Sequence, residues 1–505
     1  MPTKLRSKPG IKRDGTRLEG DFYIDGQWVR FQRGLPRKIG GYYSTAQDLP
    51  EHVYGMNSFS ADAHQYLHLG SANQLAQRVI NNTGVVTGSS DRTPAGLAVS
   101  PSNVWQFDQF YNTPSSDIIL VAHAAPNMDI DSQTDLPIYY GIVTDSGLLV
   151  TTGQDDVSGG VLAVGNYLVG FGNGGYVQWS AENDVNVATL AATNVTQQKI
   201  VVGKRVRGGG VPAALLWSLD SLLAMTFAPD ATVPEELWDF DVITDETSIL
   251  SSRGVIEYDG IFFWVGVDRF MMYNGVVRDI PNDMNVNYFF DNLNFAQRQK
   301  VFAYKVPRFG EIWWCFPFGD SEECNHAVVF NVKEGSWYDT ALPNAGRTDG
   351  VYAKVYFKPF MTGAEEVGGM FDLWQHETGA NRVRAGVPQP VPSYFETHEM
   401  SLYDSDEGGQ NKAISVELVE PDFVQTGDLT VTAHGRANAR SDVVDLADNV
   451  KTITEAAADA SEQVIRFKTE FRLLSFKFES NALDGDYQAG DNVAHIQPGD
   501  GRVTQ

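Results

Sequence analysis

The chain has 505 residues, of which 42% are hydrophobic and 11% aromatic, and it contains 48 glycines. This composition favours many short strands joined by tight turns and argues against long helices. The formal net charge of −26 argues against a free-standing nucleic-acid reader, because such proteins present basic surfaces to phosphate.

Cysteine content and hydropathy bear on where such a chain is made. Cys315 and Cys324 are the only cysteines and are too few for a secreted disulfide framework, so we expect reduced thiols. The N-terminus lacks the apolar segment of a secretory signal, and no window approaches the ~18 uninterrupted apolar residues of a membrane span. We therefore expect a protein without a membrane span that is assembled in a cytosol.

Residues 1–41 are predicted to form a basic N-terminal arm that ends in a β-hairpin. Residues 1–40 contain ten Lys and Arg against four Asp and Glu, whereas the remainder of the chain is strongly acidic. Because opposite charges attract across interfaces, the arm is a candidate contact for a neighbouring copy or for DNA. The candidate contact residues are Lys4, Arg6, Lys8, Lys12, Arg13 and Arg17.

Residues 42–388 contain a repeated unit, in which an apolar strand, a glycine or polar turn and a second apolar strand follow one another. Aligned where the first strand of each unit ends, the landmarks are Gly70, Ala122, Gly170, Ser218, Gly266, Pro317 and Gly363. Their spacing is 46 to 52 residues, and three consecutive intervals equal 48. Periods of ~40–50 residues with several short strands are typical of propeller blades. We predict a β-propeller of six or seven blades.

The unit at residues 254–282 shows the pattern most clearly. Its two apolar runs are separated by Asp268 and Arg269, which are predicted to lie in a hairpin turn. Asn274 and Gly275 tolerate positive φ and are predicted to form the next turn. Neither run alternates cleanly between apolar and polar residues, so both faces of the sheet should be covered by neighbouring blades.

Residues 391–505 follow a proline-rich linker and have a different pattern. Several segments alternate apolar and polar residues with a period of two, which suits a sheet with one solvated face. Nine Lys and Arg stand against 21 Asp and Glu here. We predict a separate antiparallel β-sandwich.

One compact basic segment interrupts the acidic middle of the chain. Lys204, Arg205 and Arg207 precede three consecutive glycines. The segment is predicted either to contact DNA phosphate or an acidic neighbouring subunit, or to be a solvated loop.

Other chemistry is weakly indicated. The candidate metal pairs are His64 with His68, Asp129 with Asp131, and Asp239 with Asp241. None continues into a full ligand pattern, so we expect no metal site. Paired carboxylates on a propeller could also serve a polysaccharide hydrolase, but no pair stands out and no nucleophile or phosphate-binding motif occurs. We expect no cofactor and no enzyme activity, with a glycan-binding or polysaccharide-hydrolysing propeller as the alternative.

Segments at both ends of the chain carry a family resemblance. The run GQWVRFQRGLPRKIGGYY at residues 26–43 resembles a strand pair that precedes the propeller in tail-tube proteins of short-tailed bacteriophages. The run YQAGDNVAHIQPGDGR at residues 487–502 is similar to the closing segment of the same proteins. The chain departs from that family in a longer last strand loop and in lacking a Trp before Tyr487.

The resemblance implies a tail nozzle, or tail hub, which is a packaged-DNA stabilisation protein of the virion. Members form a homohexameric tube below the portal and adaptor proteins, with tail fibre, needle or tip proteins at the sides or below. Genomic DNA leaves through the tube without sequence-specific binding. The resemblance supplies no catalytic residues, and it implies assembly in the host cytoplasm and residence in the virion tail.

Overall fold

A computed structural model describes residues 2–61, 63–97, 99–100, 103–125, 137–152, 157–207, 211–353, 357–402, 413–444, 449–455 and 464–499. Strands dominate this part of the chain. The helical segments described are α1 (Val286–Asn292) and short 3-10 turns at Asn173–Gly175, Val187–Thr189, Pro234–Glu236, Ser252–Gly254 and Phe295–Lys300.

The N-terminal arm contains six short strands and is followed by a longer one. They are β1 (Pro2–Lys4), β2 (Lys8–Ile11), β3 (Phe22–Tyr23), β4 (Asp25–Gln27), β5 (Val29–Gln32), β6 (Leu35–Lys38) and β7 (Tyr42–Leu49).

The next 27 strands form the blades of a β-propeller. Blade one contains β8 (Met56–Ala61), β9 (His64–Gly70), β10 (Leu75–Ile80) and β11 (Val86–Asp91), and blade two contains β12 (Val104–Asn112), β13 (Asp117–Ala125), β14 (Ile138–Ile142) and β15 (Val150–Thr151). Blade three contains β16 (Gly160–Val164), β17 (Tyr167–Phe171), β18 (Tyr176–Trp179) and β19 (Ala191–Asn194), and blade four contains β20 (Ile200–Arg205), β21 (Ala214–Ser218), β22 (Leu222–Phe227) and β23 (Trp238–Thr244). Blade five contains β24 (Ile256–Tyr258), β25 (Ile261–Val265), β26 (Phe270–Tyr273) and β27 (Val277–Asp279), and blade six contains β28 (Phe302–Val306), β29 (Glu311–Phe316), β30 (His326–Asn331) and β31 (Ser336–Ala341). Blade seven begins with β32 (Arg347–Ala353), β33 (Lys358–Val367) and β34 (Met370–His376).

Blade seven is completed by the N-terminal strand β7, so the described sheets make seven blades. Strand β7 runs antiparallel to β34, with Tyr42 opposite His376 and Tyr43 opposite Gln375. Two further strands, β35 (Asn381–Arg384) and β36 (Val387–Pro390), extend this sheet beyond β7. The ring therefore closes through pairing of residues more than 300 positions apart. The predicted propeller is confirmed.

Burial of both sheet faces holds the blades together. On β25, Trp264 is fully buried and its ring lies 5.7 Å from that of Trp217 in blade four. The next residue back, Phe263, faces blade six and lies 6.3 Å from Phe330. Successive side chains of a strand point to opposite faces, so one apolar run packs against both neighbouring blades. The predicted hairpin lies where expected, with Gly266 N–H donating to Arg269 O across the turn.

The remaining strands form the C-terminal sandwich. They are β37 (Ser393–Glu396), β38 (Ile414–Glu420), β39 (Phe423–Thr426), β40 (Leu429–Arg436), β41 (Val450–Ile453), β42 (Ile465–Phe471), β43 (Leu473–Ser480), β44 (Asp486–Ala489) and β45 (Val493–Pro498). Alternation of buried and exposed residues is clear on β42, as the sequence pattern predicts.

The N-terminal arm is built into this sandwich. Its sheets have the strand orders β1-β45-β38-β42, β4-β37-β43-β40-β41 and β39-β44-β6-β5, and β2 pairs with β3 in parallel. Three sandwich sheets thus contain both ends of the chain, an arrangement that the sequence did not indicate. The arm forms an integral part of the C-terminal domain, because its backbone donors and acceptors are satisfied there.

Candidate functional site

Each of the six predicted contact cations in the arm has a carboxylate partner in the same chain. The N–O distances are 2.6 Å for Lys4–Asp491, 3.8 Å for Arg6–Asp491, 3.9 Å for Lys8–Asp21, 2.9 Å for Lys12–Glu19, 2.8 Å for Arg13–Asp339 and 3.6 Å for Arg17–Glu399. Lys4, Arg6 and Lys8 are nevertheless more than half exposed. Exposed pairs of this kind contribute little to stability. The contact of these residues with another subunit or with DNA stays a prediction.

Arg13 differs from the other arm cations because it is committed to the fold. Its Nε and Nη2 donate to the two carboxylate oxygens of Asp339 at 2.8 and 3.1 Å, and its Nη1 donates to Asp25 at 2.7 Å. Burial opposes ionisation of Asp339, but Arg13 and His326 outweigh it and keep the pKa of that carboxyl below its usual value. The pair fastens the arm to β31 of blade six, so Arg13 is primarily structural.

A cavity of about 670 Å³ lies in the central channel of the propeller. The first strand of each blade contributes to its wall. These strands are β8, β12, β16, β20, β24, β28 and β32. A volume of this size is typical of small-molecule sites.

The basic segment at Lys204, Arg205 and Arg207 lies in this channel. Lys204 and Arg205 are the last residues of β20, and Arg207 lies two residues beyond the strand. Arg205 Nη2 donates to Asp108 Oδ1 on β12 at 2.8 Å. The other oxygen of Asp108 accepts from Ala163 N–H on β16 at 2.8 Å. Asp108 therefore ties three successive blades together, and burial raises its pKa while Arg205 offsets part of that rise.

Two further ion pairs cross between blades along the channel. Lys305 Nζ on blade six lies 3.3 Å from Glu257 Oε2 on blade five. Arg253 Nη1 lies 3.4 Å from Asp349 Oδ1 on blade seven and donates to Thr348 O at 2.8 Å. Burial raises the pKa of Asp349, and Arg253 acts in the opposite direction. Each of these three carboxylates thus faces a cation from another part of the ring.

Sequence reasoning grouped the three basic residues of the channel but missed their partners. Asp108, Glu257 and Asp349 lie in separate blades, 92 to 241 residues apart. The available signal is positional, since a charged residue on the first strand of a blade faces the channel. Using this signal would have required knowing which residues of each first strand lie opposite one another across the channel.

The candidate metal pairs do not form metal sites in the described residues, among which no cluster of three or more His, Cys, Asp and Glu is found. His68 is buried, and its Nε2 lies 3.0 Å from Val143 O. Asp239 and Asp241 both lie on β23. Asp129 and Asp131 lie outside the described residues. In the same part of the chain, no helix is long and apolar enough to cross a bilayer.

The two segments that carry the family resemblance meet at the junction of propeller and sandwich. Strand β6 of the first segment pairs with β44, at Arg37 opposite Gln488. Ser393 Oγ lies 2.9 Å from Trp28 O and 2.8 Å from the hydroxyl of Tyr487, so it links both segments. Trp28 is almost fully buried. Residues 500–502 of the second segment lie outside the described residues.

Comparisons with known proteins find only distant structural similarities. No family model and no curated protein matches the chain. It is similar to the crystal structure of the WD40 β-propeller domain of Doa1, at 10% identity over 66% of this chain and 97% of that chain, with a TM-score of 0.38. The WD40 domain of Toxoplasma gondii coronin matches at 11% identity over 72% and 93%, with a TM-score of 0.36. An exo-β-1,3-galactanase from Phanerochaete chrysosporium with β-1,3-galactotriose matches at 10% over 91% and 100%, with a TM-score of 0.29. The strands and sheets of the chain itself make it an all-β protein with a propeller.

Proposed function

We propose that the chain is a structural protein of a phage virion, which forms the tail nozzle below the portal and adaptor, retains packaged DNA and serves as the conduit for its ejection. The observation that carries the proposal is the junction itself. The segments at residues 26–43 and 487–499, which resemble tail nozzle proteins, come from opposite ends of the chain and pack together there. Because the two segments contact each other, a change in one affects the packing of the other, and both motifs serve to build the same junction.

The charge of the chain suits a conduit. At −26 per copy, a homohexamer would carry a charge on the order of −156, and acidic walls repel DNA phosphate. Favourable phosphate contacts would slow passage, so we propose that carboxylates line the tube. The sandwich, with its excess of Asp and Glu, is the proposed tube-forming domain.

The proposed partners are other copies of this chain, the portal and adaptor proteins above, and tail fibre, needle or tip proteins at the sides or below. We propose localisation in the virion tail, with assembly in the host cytoplasm. A non-enzymatic role is supported by the channel carboxylates, because each faces a cation and none stands as a free acid–base pair. A polysaccharide hydrolase or glycan-binding propeller is thus less well supported.

The experiment is negative-stain imaging of the purified protein, alone and mixed with the portal–adaptor assembly of the same phage. We expect sixfold rings attached to the portal. A protein that stays monomeric in both samples and binds or cleaves polysaccharide would contradict the proposal.

The exposed arm cations give a sharper form of this experiment. Arg6→Gln together with Lys8→Gln should reduce ring assembly, because both cations are exposed and oppose the charge of neighbouring copies. Arg278→Gln, an exposed arginine on β27, is the matched control and should assemble normally. Equal assembly of both variants would remove the arm from the proposed interface and leave the rest of the proposal intact.

A further inference from the structure

The wall of the propeller channel carries more positive than negative charge, although the chain as a whole is strongly acidic. Its cations are Lys204, Arg205, Arg207, Arg253 and Lys305, and its carboxylates are Asp108, Glu257 and Asp349. Five cations against three carboxylates leave a local charge of +2 in a chain with a net charge of −26. A channel with low-dielectric walls concentrates the field of such an excess.

The ion pairs show which cations carry the excess. The three carboxylates are matched by Arg205, Arg253 and Lys305. Among the described residues, neither Lys204 nor Arg207 has a carboxylate within ion-pairing distance or a side-chain hydrogen bond. At longer range Lys204 is attracted by Asp108 and Asp349, and Arg207 by Glu257. Lys204 is half-buried in the wall and Arg207 is exposed. Lys204 and Arg207 lie near the end of the same strand, β20, so they are on the same side of the channel.

The remainder of the wall combines aliphatic, aromatic and polar side chains. Asn57, Ser58 and Tyr304 line the cavity together with the two unmatched cations, whereas the side-chain amide of Gln106 already donates to two backbone carbonyls. Hydroxyl and amide groups can donate to an anion beside the cations. A small charged molecule would therefore find both charge neutralisation and hydrogen-bond donors at this place.

We propose that the channel binds a small oxyanion, a molecule that carries phosphate or carboxylate groups, through Lys204 and Arg207. The arginine offers a planar fork that matches two oxygens of such a group, and the lysine offers a mobile point charge. The cavity volume of about 670 Å³ accommodates a metabolite-sized ligand. This inference rests only on the channel and is independent of the proposed role in the virion.

Isothermal titration calorimetry of the full-length protein with inorganic phosphate, and separately with citrate, tests the proposal. We expect saturable binding of at least one of them at low ionic strength, since screening weakens such contacts. Binding of phosphate alone would assign the site to phosphorylated ligands, and binding of citrate alone to carboxylates. The absence of binding by both probes would overturn the proposal.

Three variants locate the site. Lys204→Gln and Arg207→Gln should each weaken binding by about tenfold or more, as expected for loss of a hydrogen bond to a charged group. Glu257→Gln should strengthen binding, because it removes a carboxylate that repels the ligand and that neutralises Lys305. Arg278→Gln, at an exposed position on blade five, should leave the affinity unchanged.

Several outcomes would overturn the assignment. Arg207 is exposed, so Arg207→Gln should fold normally, and unchanged affinity in that variant would exclude the site as described. An equal loss in Arg278→Gln would indicate non-specific attraction. Short duplex DNA could displace the bound anion and bind the same variants more weakly. That result would show that the channel contacts DNA and is not a small-ligand site.

Discussion

Arg30 joins the arm to blade six and to the turn between β34 and β35, and its replacement should destabilise the junction strongly. Its side chain is 1% exposed on β5. Nη1 donates to Glu377 at 2.9 Å, and Nη2 donates to Glu311 at 3.0 Å. The guanidinium also lies 3.8 Å from the centre of the Phe309 ring. This group satisfies two carboxylates, of which Glu311 is fully buried and Glu377 is partly exposed.

The cost of Arg30→Met follows from what is left behind. Glu311 is fully buried and would keep only the donors Trp313 Nε1 at 2.9 Å and Tyr338 hydroxyl at 2.7 Å. Removing one partner of a buried ion pair typically costs about 3–5 kcal/mol, because the other charge stays buried without compensation. We expect a loss of this size in the free energy of unfolding.

The loss should depend on pH in a defined direction. Burial raises the pKa of Glu311, and Arg30 offsets part of that rise, so Arg30→Met should raise this pKa further. The folded variant then binds a proton more readily than the unfolded chain, and it gains stability as the pH falls through the raised pKa. The difference between wild type and variant should therefore shrink in mildly acidic buffer.

Urea unfolding followed by tryptophan fluorescence measures this effect. Arg30→Met combined with Glu311→Met should recover most of the loss, since a buried ion pair replaced by apolar residues is often neutral in stability. Arg269→Met, half exposed in blade five, is the control and should change stability by less than about 0.5 kcal/mol. A cost below about 1 kcal/mol for Arg30→Met, or a double variant weaker than the single one, would refute the reasoning.

Three other perturbations test the packing of the domains. Gly70→Ala would place a Cβ 2.3 Å from the Trp105 ring and should destabilise by about 1–3 kcal/mol in thermal unfolding, whereas Gly88→Ala, where the nearest atom is 3.5 Å away, should be neutral. Burial and Arg92 lower the pKa of His68 from 6.5 to about 4, so below pH 6.5 the unfolded chain binds the proton preferentially. The free energy of unfolding should therefore fall by up to about 1.4 kcal/mol per pH unit toward pH 4. In urea titrations, His68→Gln should make this pH dependence weaker. Deletion of residues 1–23 removes the edge strand β1 from one sandwich sheet and also the β2–β3 pair. Limited proteolysis mapped by mass spectrometry should then cut the sandwich before the propeller.

The propeller could be predicted because each blade carries its own signal. All seven landmarks of the repeat lie in, or directly after, the second strand of a blade, from Gly70 at the end of β9 to Gly363 within β33. Close packing explains the glycines, since a Cβ on Gly70 would overlap Trp105 of the next blade. Local apolar runs and turn residues are sufficient to specify such a unit.

The pairing of the arm could not be predicted because it depends on contacts across the whole chain. Strand β1 has three residues, and its partner β45 begins at Val493. The three-residue strand β4 pairs with β37, beginning at Ser393. Strands this short carry no distinctive period, and their partners are fixed only when the rest of the sandwich is in place. The basic charge of the arm was visible, but its intrachain carboxylates were not.

The channel was only partly predictable for a related reason. The sequence places Lys204 and Arg205 together, but Asp108 precedes Arg205 by 97 residues and is brought beside it only by ring closure. Asp108 is one of many acidic residues in an acidic chain, so its identity alone carries no information. Charge excess in the channel emerges from the arrangement of seven first strands.

Ring closure and sandwich formation are physically coupled in this chain. Strand β6 of the sandwich ends at Lys38, and β7 of blade seven begins at Tyr42. The short connection is fixed on both sides, because Ile39 N–H donates to Trp28 O and Gly41 N–H donates to Gly379 O. Displacement of the sandwich would therefore pull directly on the strand that closes the ring. Load on one domain is thus transmitted to the other through these backbone hydrogen bonds.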